Sequence, residues 1–129
     1  MNNFIPEYVN LAKNSKVQEL RPILNVGDYS IDIYGIIELN VRAYNPDGID
    51  DEIRKAKTWL PTGDSLDDYF QNYCRENPIY HYDVILAGTA WEAYLLEIGF
   101  PKKKVKYVSV DENKNIAKIK LLISLLEGE

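Results

Sequence analysis

The stretch KTWLPTGDSLDDYF, Lys57 to Phe70, joins a predicted strand to a predicted helix, and so indicates a fold that uses both. Pro61 has no N–H to give to a sheet, and it therefore closes the strand that precedes it. Thr62 stands where a helix N-cap belongs, and Pro61 and Leu66 occupy the N′ and N4 positions of a hydrophobic staple. One apolar face follows at helical spacing: Leu66, Tyr69, Phe70, Tyr73 and Cys74. The residues of this stretch are therefore explained by their structural roles at the junction of strand and helix, without a catalytic role.

Two short helices, or one broken helix, are predicted upstream over residues 4–21, with Ser15 and Gln18 as a capping box. Strand-like alternation follows, with one apolar set formed by Tyr29, Ile31 and Ile33. A turn at Tyr34-Gly35 leads to a second, antiparallel strand from Ile37, and residues 53–60 are predicted as a third.

Downstream, the pattern predicts a helix over residues 89–98, a strand over 104–110 with Val105 and Tyr107 on one face, and a final helix over 114–126. Val84 to Leu86 is read as an extension of the first of these helices or as a short strand. The prediction is a single α+β domain over residues 1–129. In it a small, mainly antiparallel sheet from residues 28–60 is joined by strand 104–110, with helices packed on it. The alternative is a C-terminal β-α-β-α unit with parallel pairing.

Composition limits the kind of protein. The chain has 129 residues and a net charge of −5, which disfavours direct binding to nucleic acid. It has no apolar run long enough to span a membrane, and its first residues do not resemble a secretory signal. The single cysteine, Cys74, cannot form an internal disulfide. We therefore expect a cytoplasmic protein that is not bound to a membrane.

Chemical motifs are sparse. The sequence has neither a dinucleotide-binding nor a phosphate-binding glycine motif, and one cysteine with one histidine cannot build a zinc site. Adjacent helical residues diverge by about 100°, so Asp67 and Asp68 cannot act together as a catalytic pair. The loop at residues 44–52 contains four acids, Asp47, Asp50, Asp51 and Glu52. Their spacing is not that of a calcium-binding loop. We expect no metal site and no cofactor.

Two segments carry a resemblance to a known family. VQELRPILNVGDY, residues 17–29, and WLPTGDSLDDYF, residues 59–70, resemble two motifs of small phage and prophage proteins from Bacillus-like bacteria. A later helix in that family carries a tryptophan, to which Trp91 corresponds. Gly63 and Ser65 depart from the glutamines that the family often has there, and residues 100–129 have no counterpart. The family has no established activity, so the resemblance implies only a setting, the cytoplasm of an infected or lysogenic bacterium.

The leading functional hypothesis is a non-enzymatic accessory protein that binds a host or phage protein, with inhibition of a host process as one form of such binding. Binding is expected at exposed aromatic residues in a loop after Pro78, assisted by the acidic loop; the candidate residues are Tyr80, His81, Tyr82, Asp47, Asp50, Asp51 and Glu52. One alternative is a small hydrolase or nucleotide-modifying enzyme that uses His81 with nearby carboxylates. Another is an assembly component that works as a homo-oligomer.

Overall fold

The chain has an α+β fold, as the sequence predicts. The computed structural model describes residues 5–20, 29–39, 48, 57–99 and 103–128. It divides into two compact units, Met1–Thr62 and Gly63–Glu129. Each unit has its own three-stranded antiparallel sheet, in place of the one sheet that the alternation predicted.

The first unit contains helices α1 (Pro6–Ala12) and α2 (Ser15–Glu19) and strands β1 (Tyr29–Ile31), β2 (Ile37–Leu39) and β3 (Thr58–Leu60). The strand order is β2-β1-β3, and both pairings are antiparallel. The predicted antiparallel pairing of the first two strands is therefore confirmed. The fully buried side chains of the first unit include Tyr8, Val17 and Leu60.

The cap of α2 differs from the prediction. Asn14, not Ser15, is the N-cap, and its side-chain oxygen accepts from the N–H of Lys16 at 2.9 Å and of Val17 at 3.3 Å. Gln18 is not part of a capping box. Its amide instead bridges to β3, where it donates to the carbonyl oxygen of Trp59 and accepts from the N–H of the same residue.

The second unit contains helix α3 (Gly63–Glu76), strands β4 (Tyr80–Ala87), β5 (Ala90–Ile98) and β6 (Lys103–Asp111), and helix α4 (Lys114–Gly128). The strands follow one another as an antiparallel meander in the order β4-β5-β6. Helix α3 begins directly after Thr62, as predicted, and buries Leu66 and Phe70. Leu95 of β5 and Leu122 of α4 are likewise buried.

The predicted helix over residues 89–98 is wrong, because this segment is strand β5. Val84 to Leu86 lies in β4 and pairs with β5, so neither a helical extension nor a parallel partner of β6 exists there. A two-residue loop, Gly88-Thr89, joins β4 to β5, and Gly88 has a φ of +67°. Glycine at the first position of a two-residue hairpin loop is typical of a turn whose twist matches that of the strands. Consecutive strands therefore pair locally, and β6 adds to β5 rather than to the first sheet.

Strand β6 is irregular at its centre. Leu95 pairs with Tyr107 but the next residue, Leu96, pairs with Val105, so the register shifts at this point. A residue added on one strand of a pair turns the side chains beyond it to the opposite face. Val105 and Tyr107 therefore lie on opposite faces, contrary to the prediction, and Val105 is 54% exposed.

The free edge of β4 is closed by local hydrogen bonds. The N–H of Tyr80 donates to the carbonyl oxygen of Asn77 at 3.0 Å, and that of Val84 donates to the carboxylate of Asp83 at 2.8 Å. Between them, the backbone of Tyr82 hydrogen-bonds the Cys74 thiol. Alternate residues of an edge strand point their N–H groups away from the sheet, and unpaired edges invite pairing with other chains. These three contacts leave the β4 edge with few donors for another strand.

Candidate functional site

A tightly hydrogen-bonded turn connects β1 to β2 in the first unit. The N–H of Gly35 donates to the carbonyl oxygen of Asp32 at 3.1 Å, and the N–H of Asp32 donates to the carbonyl oxygen of Ile36 at 3.1 Å. Gly35 has a φ of +83°, which glycine adopts without steric cost. This is the three-residue hairpin loop in which a turn is followed by one left-handed residue. We call Asp32 to Ile36 the hairpin tip.

The side chain of Asp32 holds the hairpin tip together from within. One of its carboxylate oxygens accepts from the N–H of Tyr34 at 2.9 Å and from the N–H of Ile36 at 3.0 Å. Aspartate favours the first position of such turns because its short side chain reaches the N–H groups that follow. With these contacts and the two backbone bonds, the conformation of the tip is fixed in the free protein.

Large apolar side chains project from this fixed turn. Ile33 is 80% exposed, Tyr34 82% and Ile36 56%. Single exposed apolar residues are ordinary on protein surfaces, but several together on one rigid element indicate an interaction site. The arrangement can insert apolar side chains into a cleft of another molecule.

A groove lies beside the hairpin tip within the same unit. It has a volume of about 360 Å³ and is lined by Lys13, Ile31, Asp32, Ile33, Gly35 and Thr58. Lys13 follows the last residue of α1, and Thr58 is the first residue of β3. The groove thus combines the apolar side chains of Ile31 and Ile33 with polar ones, and a side chain of a bound molecule can lie in it next to the tip.

The tyrosines that the sequence placed in an exposed loop lie elsewhere. Tyr80 and Tyr82 belong to strand β4 and are half-buried, so the prediction of a loop with exposed rings is wrong. The ring of Tyr82 stacks on Phe70 with centroids 4.5 Å apart, and that of Tyr80 lies 5.7 Å from the ring of Tyr73. Both rings therefore pack against the apolar face of α3, which the sequence had correctly assigned as a core-facing stripe. Their contact with a partner stays a prediction.

Of the remaining candidate residues, His81 is exposed on β4, on the opposite side of the strand from Tyr80 and Tyr82. Among the described residues, no three His, Cys, Asp or Glu side chains come close enough together to hold a metal ion. Burial raises the pKa of the Cys74 thiol. The acidic loop residues Asp47, Asp50, Asp51 and Glu52 lie outside the described residues.

Sequence reasoning missed the hairpin tip, although a signal was present. Because Tyr29, Ile31 and Ile33 alternate with polar residues, the pattern predicts that Ile33 belongs to the apolar face of a longer strand. The strand ends at Ile31 because Asp32, three residues before Gly35, begins a turn. An aspartate and a glycine at this spacing predict the turn and, with it, the exposure of the two residues between them.

Comparison with known proteins adds no relative, since the chain matches no family model, no curated protein and no solved structure. None of the helices in the described part of the chain has the length and apolar character needed to cross a membrane.

Proposed function

We propose that this protein is a phage- or prophage-encoded accessory protein that binds a host or phage protein in the bacterial cytoplasm, and that the hairpin tip is its main contact. The observation that carries the proposal is the exposure of Ile33, Tyr34 and Ile36 on a turn fixed by Asp32. The resemblance of residues 17–29 and 59–70 to motifs of phage and prophage proteins supports the bacterial setting.

The energetics of the tip favour binding. Transfer of a large apolar side chain from water to a protein interior is worth about 1.5 to 3 kcal/mol, so Ile33 and Tyr34 can supply much of the free energy of a complex. A partner would not have to order the turn, because its hydrogen bonds exist in the free protein. Contacts that are organised before binding lose less entropy when the complex forms. A few such residues commonly dominate an interface.

The chemistry of the partner follows from charge. The chain has a net charge of −5, which attracts a protein with a basic surface and speeds their encounter. The same charge opposes approach to anionic lipid, so a membrane surface is the less favoured occupant. We therefore assign the tip to a partner protein that has an apolar cleft with a basic rim.

The test compares two matched substitutions, Ile33→Ser at the tip and Ile79→Ser in the turn before β4. Both isoleucines are exposed, 80% and 52%, so each substitution removes the same side chain from a turn. The natural protein and both variants would be used to capture proteins from host lysate, with a photo-crosslinking residue at position 34. The proposal expects one protein that the natural chain and Ile79→Ser retain, that Ile33→Ser loses, and that crosslinks to position 34.

Two results would overturn the proposal. One is equal retention of every captured protein by a folded Ile33→Ser variant. The other is tip-dependent sedimentation with lipid vesicles in the absence of any tip-dependent protein, which would assign the tip to a membrane surface.

A further inference from the structure

A polar cavity in the second unit is lined by residues of that unit alone. Its volume is about 250 Å³, and it is lined by Asp67, Gln71, Tyr82, Asp83, Val84, Lys114 and Lys118. A water molecule occupies about 30 Å³ of liquid, so the cavity has room for a small solute and not only for a single bridging water.

Lys118 gives the cavity a buried cation. The residue is only 5% exposed, and its ammonium nitrogen lies 2.9 Å from the Asp67 carboxylate, its one hydrogen-bond partner among the described residues. An ammonium group has three N–H donors. Buried donors without acceptors are costly, so the remaining protons favour an occupant that carries acceptor oxygens.

The acidic groups of the lining are already engaged. One oxygen of Asp67 accepts from the Tyr82 hydroxyl at 2.7 Å and the other from Lys118. Asp83 accepts from the N–H of Val84 and from the Tyr94 hydroxyl. Each carboxylate therefore has donors of its own within the protein, and the two lysines of the lining, Lys114 and Lys118, balance the two negative charges.

Further donors remain available around the cavity. The ammonium group of Lys114 lies 4.7 Å from the centre of the Trp91 ring, a contact that positions the cation without using its N–H groups on an acceptor. Lys114 precedes Lys118 by one helical turn on α4, and Gln71 follows Asp67 by one turn on α3. The lining thus combines two cations and an amide with carboxylates that are already satisfied.

We propose that this cavity binds a small oxyanion, a phosphate or carboxylate group, between Lys114, Lys118 and Gln71. Such oxygens accept charge-assisted hydrogen bonds from ammonium and amide groups. The proposal concerns the second unit alone and is independent of protein binding by the hairpin tip.

The experiment is an NMR titration of the full chain with inorganic phosphate and, separately, with acetate, each against sodium chloride at equal ionic strength. Saturable shifts at Gln71, Lys114 and Lys118 that chloride does not produce are expected, and the stronger of the two anions identifies the preferred group. Lys118→Met also breaks the buried ion pair, so Lys114→Met is the test variant. Lys120→Met is its control, because Lys120 lies on the same helix and pairs with Asp111 instead.

Loss of one charge-assisted contact is expected to weaken binding about tenfold in Lys114→Met. Affinity in Lys120→Met should stay close to that of the natural protein. Absence of saturable shifts with both anions would overturn the proposal. Equal weakening by Lys114→Met and Lys120→Met would also overturn it, because it would show attraction by general charge rather than a site.

Discussion

Asp32 determines the conformation of the hairpin tip through two hydrogen bonds from one carboxylate oxygen. In Asp32→Ala these acceptors are lost, so the N–H groups of Tyr34 and Ile36 become open to solvent. We expect their amide hydrogen exchange to accelerate markedly, and the unit to lose about 1 kcal/mol of stability, as for a lost helix cap. Asp32→Asn keeps an acceptor at the same place and should retain most of the protection. Unchanged exchange in Asp32→Ala would show that the side chain does not fix the turn.

Tyr82 gives a prediction for alkaline pH. Burial raises the pKa of its phenol, and the hydrogen bond and negative charge of Asp67, with the charge of Asp83, raise it further. The folded state thus holds this proton more tightly than the unfolded state, where a tyrosine ionises near its ordinary value of 10.0. The corresponding stability is fully present below that pH and is lost as the pH rises above it.

Tyr82→Phe removes the ionising group, so its stability should fall less steeply above pH 10 than that of the natural protein. Urea denaturation at a series of alkaline pH values measures the difference. Identical slopes for the two proteins would contradict the assignment of a tightly held proton to Tyr82.

At the scale of elements, the sequence predicted where β3 ends and α3 begins, on either side of Pro61, but not the β4-β5-β6 meander that follows. Helix α3 could be predicted from local signals, since its cap position, first-turn acid and apolar stripe all lie in or next to the helix itself. Strand β5 does not: AWEAYLLEI is rich in helix formers, and Trp91, Leu95 and Ile98 also fit helical spacing. Pairing with β4 and β6 on both sides overrides that propensity. The Gly88-Thr89 loop was the local sign of this pairing.

The contact of α3 with α4 contains the ion pair of Asp67 and Lys118, whose side chains are 31% and 6% exposed. Loss of one member of a buried pair leaves the other charge uncompensated. We therefore expect Lys118→Met to cost about 2 to 4 kcal/mol, below the upper range because Asp67 is partly solvated. Replacement of both, by Asp67→Leu with Lys118→Met, should cost less than the sum of the single changes, because no lone charge remains. Chemical denaturation of the four proteins gives the coupling energy, and strictly additive costs would contradict the pair.

For the whole molecule, the strand and helix periodicities predicted the α+β class, but not the division into two compact units. The alternation in residues 104–110 correctly predicts a strand. Periodicity shows which residues face a core, but it does not show which sheet a strand joins, since that depends on contacts distant in sequence. Similarly, no pattern within α4 predicts that Lys118 meets Asp67, because the two residues are 51 positions apart.

The second unit should fold without the first. It has its own sheet, two helices that bury Phe70 and Leu122, and a core that includes Leu66, Leu95, Ile119 and Leu125. We expect residues 63–129, expressed alone, to give dispersed NMR amide signals and a cooperative thermal transition. A fragment with collapsed dispersion and no cooperative transition would show that this core needs residues of the first unit.

Binding of a protein by the hairpin tip is tested most directly by the affinity for the purified partner identified by crosslinking at position 34. The measurement compares the natural chain, the tip variant Ile33→Ser with Tyr34→Ser, and the control Ile79→Ser. Two buried contact residues at the centre of an interface are together worth about 3 kcal/mol or more, so we expect the tip variant to lose at least about a hundredfold in affinity. The control should bind like the natural chain. Equal affinity of the natural chain and a folded tip variant would show that the hairpin tip is not the contact.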